Sequence, residues 1–207
     1  MMRERKLFWL KLAVFASVFA VAMQVRGKAF AMHISEGILP GCWAALWYAI
    51  SAIFLAAGFY VLSRELREER SRGPQIALMG ALVFVISLLP IPMPISGTCS
   101  HPCGTPMAAI IVGPAISALM GAIALLFQAL FFAHGGLTTW GANIFSMAAV
   151  GSFVGFFAYK ASRRLGASFF LAAFLAGFIG DICVYFVTAL QLALGVPSNV
   201  GLLGRWA

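Results

Sequence analysis

The chain has 207 residues, of which 62% are apolar and 10% charged, against roughly 45–50% and 25% in an ordinary soluble domain. So few charges cannot cover a soluble globule of this size, which points instead to an all-α, polytopic membrane protein. The net charge of +8 sits in short basic clusters between apolar runs, a mark of membrane topology rather than of nucleic-acid binding.

Residues 1–31 read as a signal peptide: a basic start, an apolar run over 7–23, then Ala29-Phe30-Ala31. Small residues at −3 and −1 are what signal peptidase accepts, and cleavage there makes Met32 the mature N-terminus. The alternative is an uncleaved anchor helix, in which the Met32 nitrogen is an ordinary amide.

Residues 39–62 are apolar with Trp43, Trp47 and Tyr48 near one end, long enough to span and with the aromatics of an interfacial belt. The segment 63–73 that follows carries four Arg, so the positive-inside rule makes it cytoplasmic and puts the mature N-terminus outside. Residues 74–89 return outward and lead into a Pro-rich stretch over 90–106, which cannot form a regular helix. The next basic cluster is Lys160, Arg163 and Arg164.

Reaching that cluster from outside takes an odd number of crossings. Residues 114–133 and 143–159 supply two, and 105–113 supplies a short third, about 13 Å long by helical rise. A single re-entrant hairpin is the alternative. The short crossing requires the preceding loop to dip into the protein, where irregular backbone is tolerated if it is buried or lines a cavity. Residues 168–194 cross outward again. The mature chain, 32–207, is therefore one integral-membrane domain of about six segments, one of them short or broken. The small residues of 147–155 favour close helix packing.

Three His fall on the outer side in this topology: His33, His101 and His134. A free Met32 amine, the amide nitrogen of His33 and its imidazole can close fused five- and six-membered chelate rings in one plane, with His101 as a fourth nitrogen. Such a set suits Cu(II), Ni(II) or Co(II). Cys99 and Cys103 flank His101, with Ser100 between. They are candidates for ligation, for a disulfide or for packing, whereas Cys42 and Cys183 read as packing. Glu36 is placed to orient His33 or to cap the first helix. Thr105, His134 and Asn143 are candidates for supporting the binding loop. Asp181, an intramembrane carboxylate, is either functional or bonded to a Thr or Tyr on a neighbouring helix. No nucleophile–base–acid trio is legible, and the sequence contains no Gly-x4-Gly-Lys-Ser/Thr nucleotide loop.

Met32-His-Ile-Ser-Glu-Gly-Ile-Leu-Pro40, Gly97-Thr-Cys-Ser-His-Pro-Cys-Gly-Thr105 and His134-Gly-Gly-Leu-Thr-Thr-Trp-Gly-Ala-Asn-Ile-Phe-Ser-Met147 resemble three ordered motifs of the CbiM/NikM substrate-binding subunits of energy-coupling-factor transporters. The Cys-Ser-His-Pro form is more like the cobalt branch, tied to cobalamin synthesis, than the nickel branch. The resemblance implies a non-enzymatic, multi-pass subunit of a bacterial-type inner membrane. It also implies Co(II), or Ni(II), as the transported substrate, held by Met32, His33 and His101. The implied partners are a transmembrane coupling subunit, ATPase subunits and a small accessory membrane subunit. A metal-independent accessory role for a degenerate relative is the other reading. Cys103 stands where the family usually has Thr. The family also continues past its Pro-Ser-x-x-Gly region into one more apolar helix, absent from 32–207.

Overall fold

The computed structural model describes residues 33–89, 91–92 and 99–195. The signal peptide read at 1–31, the Met32 ligand, residues 93–98 of the Pro-rich stretch and the tail from 196 onward lie outside the described residues. The chain divides into two compact units. In the one that includes Pro90–Ser100, β1 (Ile91–Pro92) pairs antiparallel with β2 (Cys99–Ser100), Ile91 opposite Ser100 and Pro92 opposite Cys99. The Pro-rich stretch, expected to be irregular throughout, thus carries a minimal ladder.

The other unit, Met32–Leu89 with His101–Ala207, holds the helices. These are α1 (Gly41–Glu68), α2 (Gly73–Ser87), α3 (Thr105–Val112), α4 (Pro114–Phe132), α5 (Trp140–Arg164) and α6 (Phe169–Gly195). A 3-10 turn at Arg70–Arg72 joins the first two. α1, α4, α5 and α6 are each long and apolar enough to cross a bilayer.

The shortness of α3 is written in its ends. Pro106 lies in its first turn, where a missing N–H costs nothing. Gly113 ends it at φ 85, and Pro114 starts α4 at once. A residue before proline avoids the helical region, and glycine tolerates the positive φ this turn demands. The short helix sits at the centre of the bundle, packed on α2, α4, α5 and α6, with Ala108 and Ala109 fully buried. It is wedged there by small residues on its neighbours. A Cβ added at Gly155 of α5 would come within 2.5 Å of Pro106, and one at Gly180 of α6 within 2.9 Å.

α5 is not a uniform helix. Trp140–Asn143 is one α turn, Ile144–Val150 is a π segment, and Gly151–Arg164 resumes the α form. Widening the turn leaves carbonyls near its start in need of donors. Ser51 of α1 donates to the Gly141 carbonyl at 2.6 Å, and Gln191 of α6 donates to that of Ala142 at 3.1 Å. Two neighbouring helices are thereby fastened to the start of α5.

Candidate metal centre

Three connecting segments meet beside the start of α5: the residues before α1, the residues before α3, and the α4–α5 turn. Each brings one imidazole. His33 and His101 are buried, at 4% and 2% exposure, and His134 is half-buried. Their ligand nitrogens all lie within 4.8 Å of one another. His101 Nε2 is 3.0 Å from His33 Nδ1. The ring centroids are 4.8 Å apart for His33 and His101, 4.3 Å for His33 and His134, and 5.4 Å for His101 and His134.

The opposite face of His33 is fixed by Gln128 of α4, whose Oε1 lies 2.9 Å from His33 Nε2. An amide oxygen only accepts, so Nε2 carries the ring proton and Nδ1 presents its lone pair toward His101. His101 then donates from Nε2, and its buried Nδ1 has no partner among the described residues. An ion binding both facing nitrogens displaces that proton, which the free Nδ1 can take up. Burial lowers the pKa of all three imidazoles, and for His33 and His101 nearby imidazole charge adds to the effect. The rings are therefore neutral near pH 7, the form that binds metal.

The segment carrying His33 is held by main-chain clamps rather than by helix or sheet. Asn143 accepts from the Ile34 N–H at 2.8 Å and donates to the Ile34 carbonyl at 3.1 Å. Thr139 Oγ1 donates to the same carbonyl at 2.6 Å. Gly37 N–H donates to Thr138 Oγ1, and the Glu36 carboxylate accepts from Thr138 N–H, each at 3.2 Å. The Thr138 hydroxyl, helped by the backbone N–H groups of Thr138 and Leu137, holds the Glu36 carboxyl below its usual range. Among the described residues, the hydrogen bonds of the Glu36 carboxylate go to Thr138 and not to the His33 ring, and no side chain caps the start of α1. Glu36 instead pins the entering strand to the α4–α5 turn.

His134 is positioned by the end of α4. Ala133 turns left-handed at φ 49, and the His134 N–H donates to the Gln128 carbonyl at 3.2 Å. Gln128 therefore braces two of the three imidazoles, through its side chain and its carbonyl. It was absent from the residues singled out in the sequence, since a lone Gln in an apolar helix carries no motif.

Cys42, Cys103 and Cys183 do not join this group. Cys103 is a free, buried thiol directed away from it. Its Sγ lies 3.0 Å from Thr105 Oγ1 and donates to the Met147 carbonyl at 3.4 Å. A Cys103 disulfide is thus absent here, and its thiol packs. Thr105 Oγ1 donates to that carbonyl at 2.8 Å, tying α3 to the π segment. Cys103 N–H donates to Asp181 at 3.3 Å, so this carboxylate accepts from the backbone that precedes α3. Cys42 is exposed and free and Cys183 is free. The side chains of Cys99 and Ser100 lie outside what is described.

Comparison with known proteins gives one consistent picture. Residues 33–206 match CbiM, described as the cobalt uptake substrate-specific transmembrane region. The chain is 53% identical over 178 residues to a cobalt transport protein CbiM of Geobacter sulfurreducens, covering 86% of this chain and 51% of that protein. It thus spans about half the length of that relative. It is 48% identical over 168 residues to a cobalt transport protein CbiM of Sorangium cellulosum, covering 81% of this chain and 75% of the relative. A solved transition metal transporter superposes with a TM-score of 0.71 at 30% identity, covering 78% of this chain and 70% of that one. A truncated transition metal transporter gives 0.70 at 29%, covering 78% and 74%.

Proposed function

Because this chain belongs to the CbiM family, we propose that it is the substrate-binding membrane subunit of an ATP-driven importer whose cargo is Co(II). Signal-peptide removal exposes Met32, and the ion is held by four nitrogens: the Met32 amine, the His33 amide, His33 Nδ1 and His101 Nε2. The single observation that carries this reading is the 3.0 Å separation of His33 Nδ1 and His101 Nε2. Two nitrogens each about 2.0–2.1 Å from one ion are about 2.9 Å apart when they occupy neighbouring corners of a square. In a Met-His chelate the amine and Nδ1 take opposite corners and the amide the corner between. The vacant corner is next to Nδ1, where His101 stands. Binding moves the proton between the two rings to His101 Nδ1, and the His33 amide gives up its own proton to solvent as it coordinates.

The energy source lies outside this chain. A transmembrane coupling subunit, ATPase subunits and a small accessory membrane subunit are the partners, in a multi-pass arrangement with the metal site on the outer face. Reorientation driven by the ATPases would pull the N-terminal strand from its Asn143 and Thr139 clamp and open the chelate inward. Ni(II) is the alternative cargo, since a square of four nitrogens also suits it.

The test is metal content and N-terminal sequence of the protein purified from membranes. The expected result is a start at Met32, one cobalt per chain, and loss of that cobalt in His33→Ala and His101→Ala with helical content unchanged. A start at Met1 in cobalt-loaded protein, or cobalt retained in both variants, overturns the reading.

A further inference from the structure

We infer that His134 is an axial fifth ligand to the bound ion, and that this third imidazole gives the site a preference for Co(II) over Ni(II). This rests on the four-nitrogen reading above. If the four equatorial corners are filled by Met32, His33 and His101, only a position above or below the square is left for another donor. His134 is the residue at hand. Its ligand nitrogen lies within 4.8 Å of those of His33 and His101, and its ring meets that of His33 edge to face at 65°.

The ring is free to make the approach. Its backbone is anchored by the bond to the Gln128 carbonyl, but among the described residues no hydrogen bond restrains its imidazole. Side-chain rotation can close the gap to the roughly 3 Å spacing of adjacent ligands at 2.0–2.1 Å. The space beside it is also defined. Gly135, at φ 85, lies against the site, and a Cβ there would come within 3.2 Å of Asn143 Nδ2 and 3.3 Å of His33 Cδ2. The turn passes so close to His33 that the residue before it is held over the site.

The preference follows from electron count. In a square of four strong nitrogen donors, Ni(II) fills the orbital that points along the axis and rejects a fifth donor. Low-spin Co(II) has one electron there and accepts it. An axial imidazole therefore stabilises bound cobalt and leaves nickel nearly unaffected. A buried pair with a half-buried third ring also suggests the order of capture: His134 meets the ion first and remains on the axis as the square closes.

The experiment uses the processed chain purified from membranes and loaded with Co(II) or Ni(II) alone. Low-spin Co(II) with one axial nitrogen shows its electron-spin resonance lines split in three by that nucleus. We expect the triplets in the unaltered protein, their loss in His134→Ala, and their return when imidazole is added to that variant. Co(II) affinity should fall by about tenfold or more, the order of one lost nitrogen ligand, with Ni(II) affinity within about twofold. His134→Asn, which keeps a polar side chain, carries the same test if the Ala variant does not fold. Triplets absent from the unaltered protein, or unchanged without His134, overturn the axial ligand. His33→Ala separates the two levels. If it abolishes binding of both metals while His134→Ala changes nothing, the square stands and the axis falls. If it leaves binding intact, the square itself falls and the axial ligand with it.

Discussion

At the scale of single residues, the His cluster is ordered by what fixes which nitrogen of His33 is free. Gln128 does this from an apolar helix, fully buried, through one bond of 2.9 Å. Replacing it by Leu keeps the volume and removes the acceptor. The expected outcome is a folded protein whose cobalt affinity falls about 10- to 100-fold, the usual effect of losing a residue that orients a ligating His, measured by calorimetric titration. Asn143 acts one step further out. Asn143→Ala leaves the buried Ile34 N–H without its acceptor and costs about 1–3 kcal/mol, read as a lower apparent Tm. Weaker metal binding should accompany it, because the strand that carries His33 is released. His33 and His101 were named from the sequence because a Met-His pair and a His in a Pro-rich loop are local signals, and the structure brings their rings together. Gln128 was not, because its meaning exists only across the 95 residues that separate it from His33. The place of His134 beside the other two also depends on how α4 ends, which the spacing of residues does not reveal.

At the scale of elements, the apolar runs placed the helices to within about six residues, the short third one included, while α1 runs on to Glu68 through the basic residues read as a connection. The bounds of α3 follow from Pro106, Gly113 and Pro114, which are punctuation a reader can see. The π segment at Ile144–Val150 could not be read, since it depends on donors from α1 and α6 that meet the loosened carbonyls. What holds α3 in place is contact with residues that have no side chain. Gly155→Ala sets a methyl 2.5 Å from Pro106, both parts of rigid helices, so neither can yield cheaply. The expected cost is about 1–3 kcal/mol, as for other overpacked cores, seen as a lower Tm in detergent. Metal binding should weaken less than in Asn143→Ala, because Pro106 lies beyond the loop that carries His101. A similar insertion at the mouth behaves differently. Gly136→Ala brings a methyl within 2.4–2.6 Å of Glu36 and displaces the strand that bears His33. Here cobalt binding should fall more than Tm, and a Tm loss with unchanged affinity would show that Glu36 does not position the strand.

At the scale of the whole molecule, the meeting of three imidazoles constrains how the chain threads the membrane. His33 precedes α1, His101 precedes α3 and His134 follows α4. They can share one face if α1 and α2 form one out-and-back pair and α3 and α4 another. A re-entrant α3 followed by a single crossing of α4 would carry His134 to the face opposite His33. The contact of His33 with His134, ring centroids 4.3 Å apart, therefore sets that path aside and leaves α3 and α4 as a pair that enters and leaves on one face, although α3 has only eight residues. Charge gives the direction. The last two turns of α1 and its connection to α2 carry Arg64, Arg67, Arg70 and Arg72, and α5 ends in Arg163 and Arg164. Both ends fall on the face away from the imidazoles, as the positive-inside rule requires for a site that opens outward. Exposed aromatics such as Phe170, Phe174 and Phe186 of α6 then face lipid, at little cost since hydrocarbon tails solvate them. Single cysteines at exposed positions test the threading, in a background with Cys42, Cys99, Cys103 and Cys183 all replaced by Ser. Ile38→Cys and Leu137→Cys should both react with a membrane-impermeant maleimide added to intact cells, and Ser71→Cys should react only after the membrane is opened. Labelling of Ile38→Cys and Leu137→Cys from opposite sides would break the six-crossing path. Labelling of Ser71→Cys in intact cells would turn the three imidazoles to the cytoplasm and remove the basis for the proposed capture of an ion from outside.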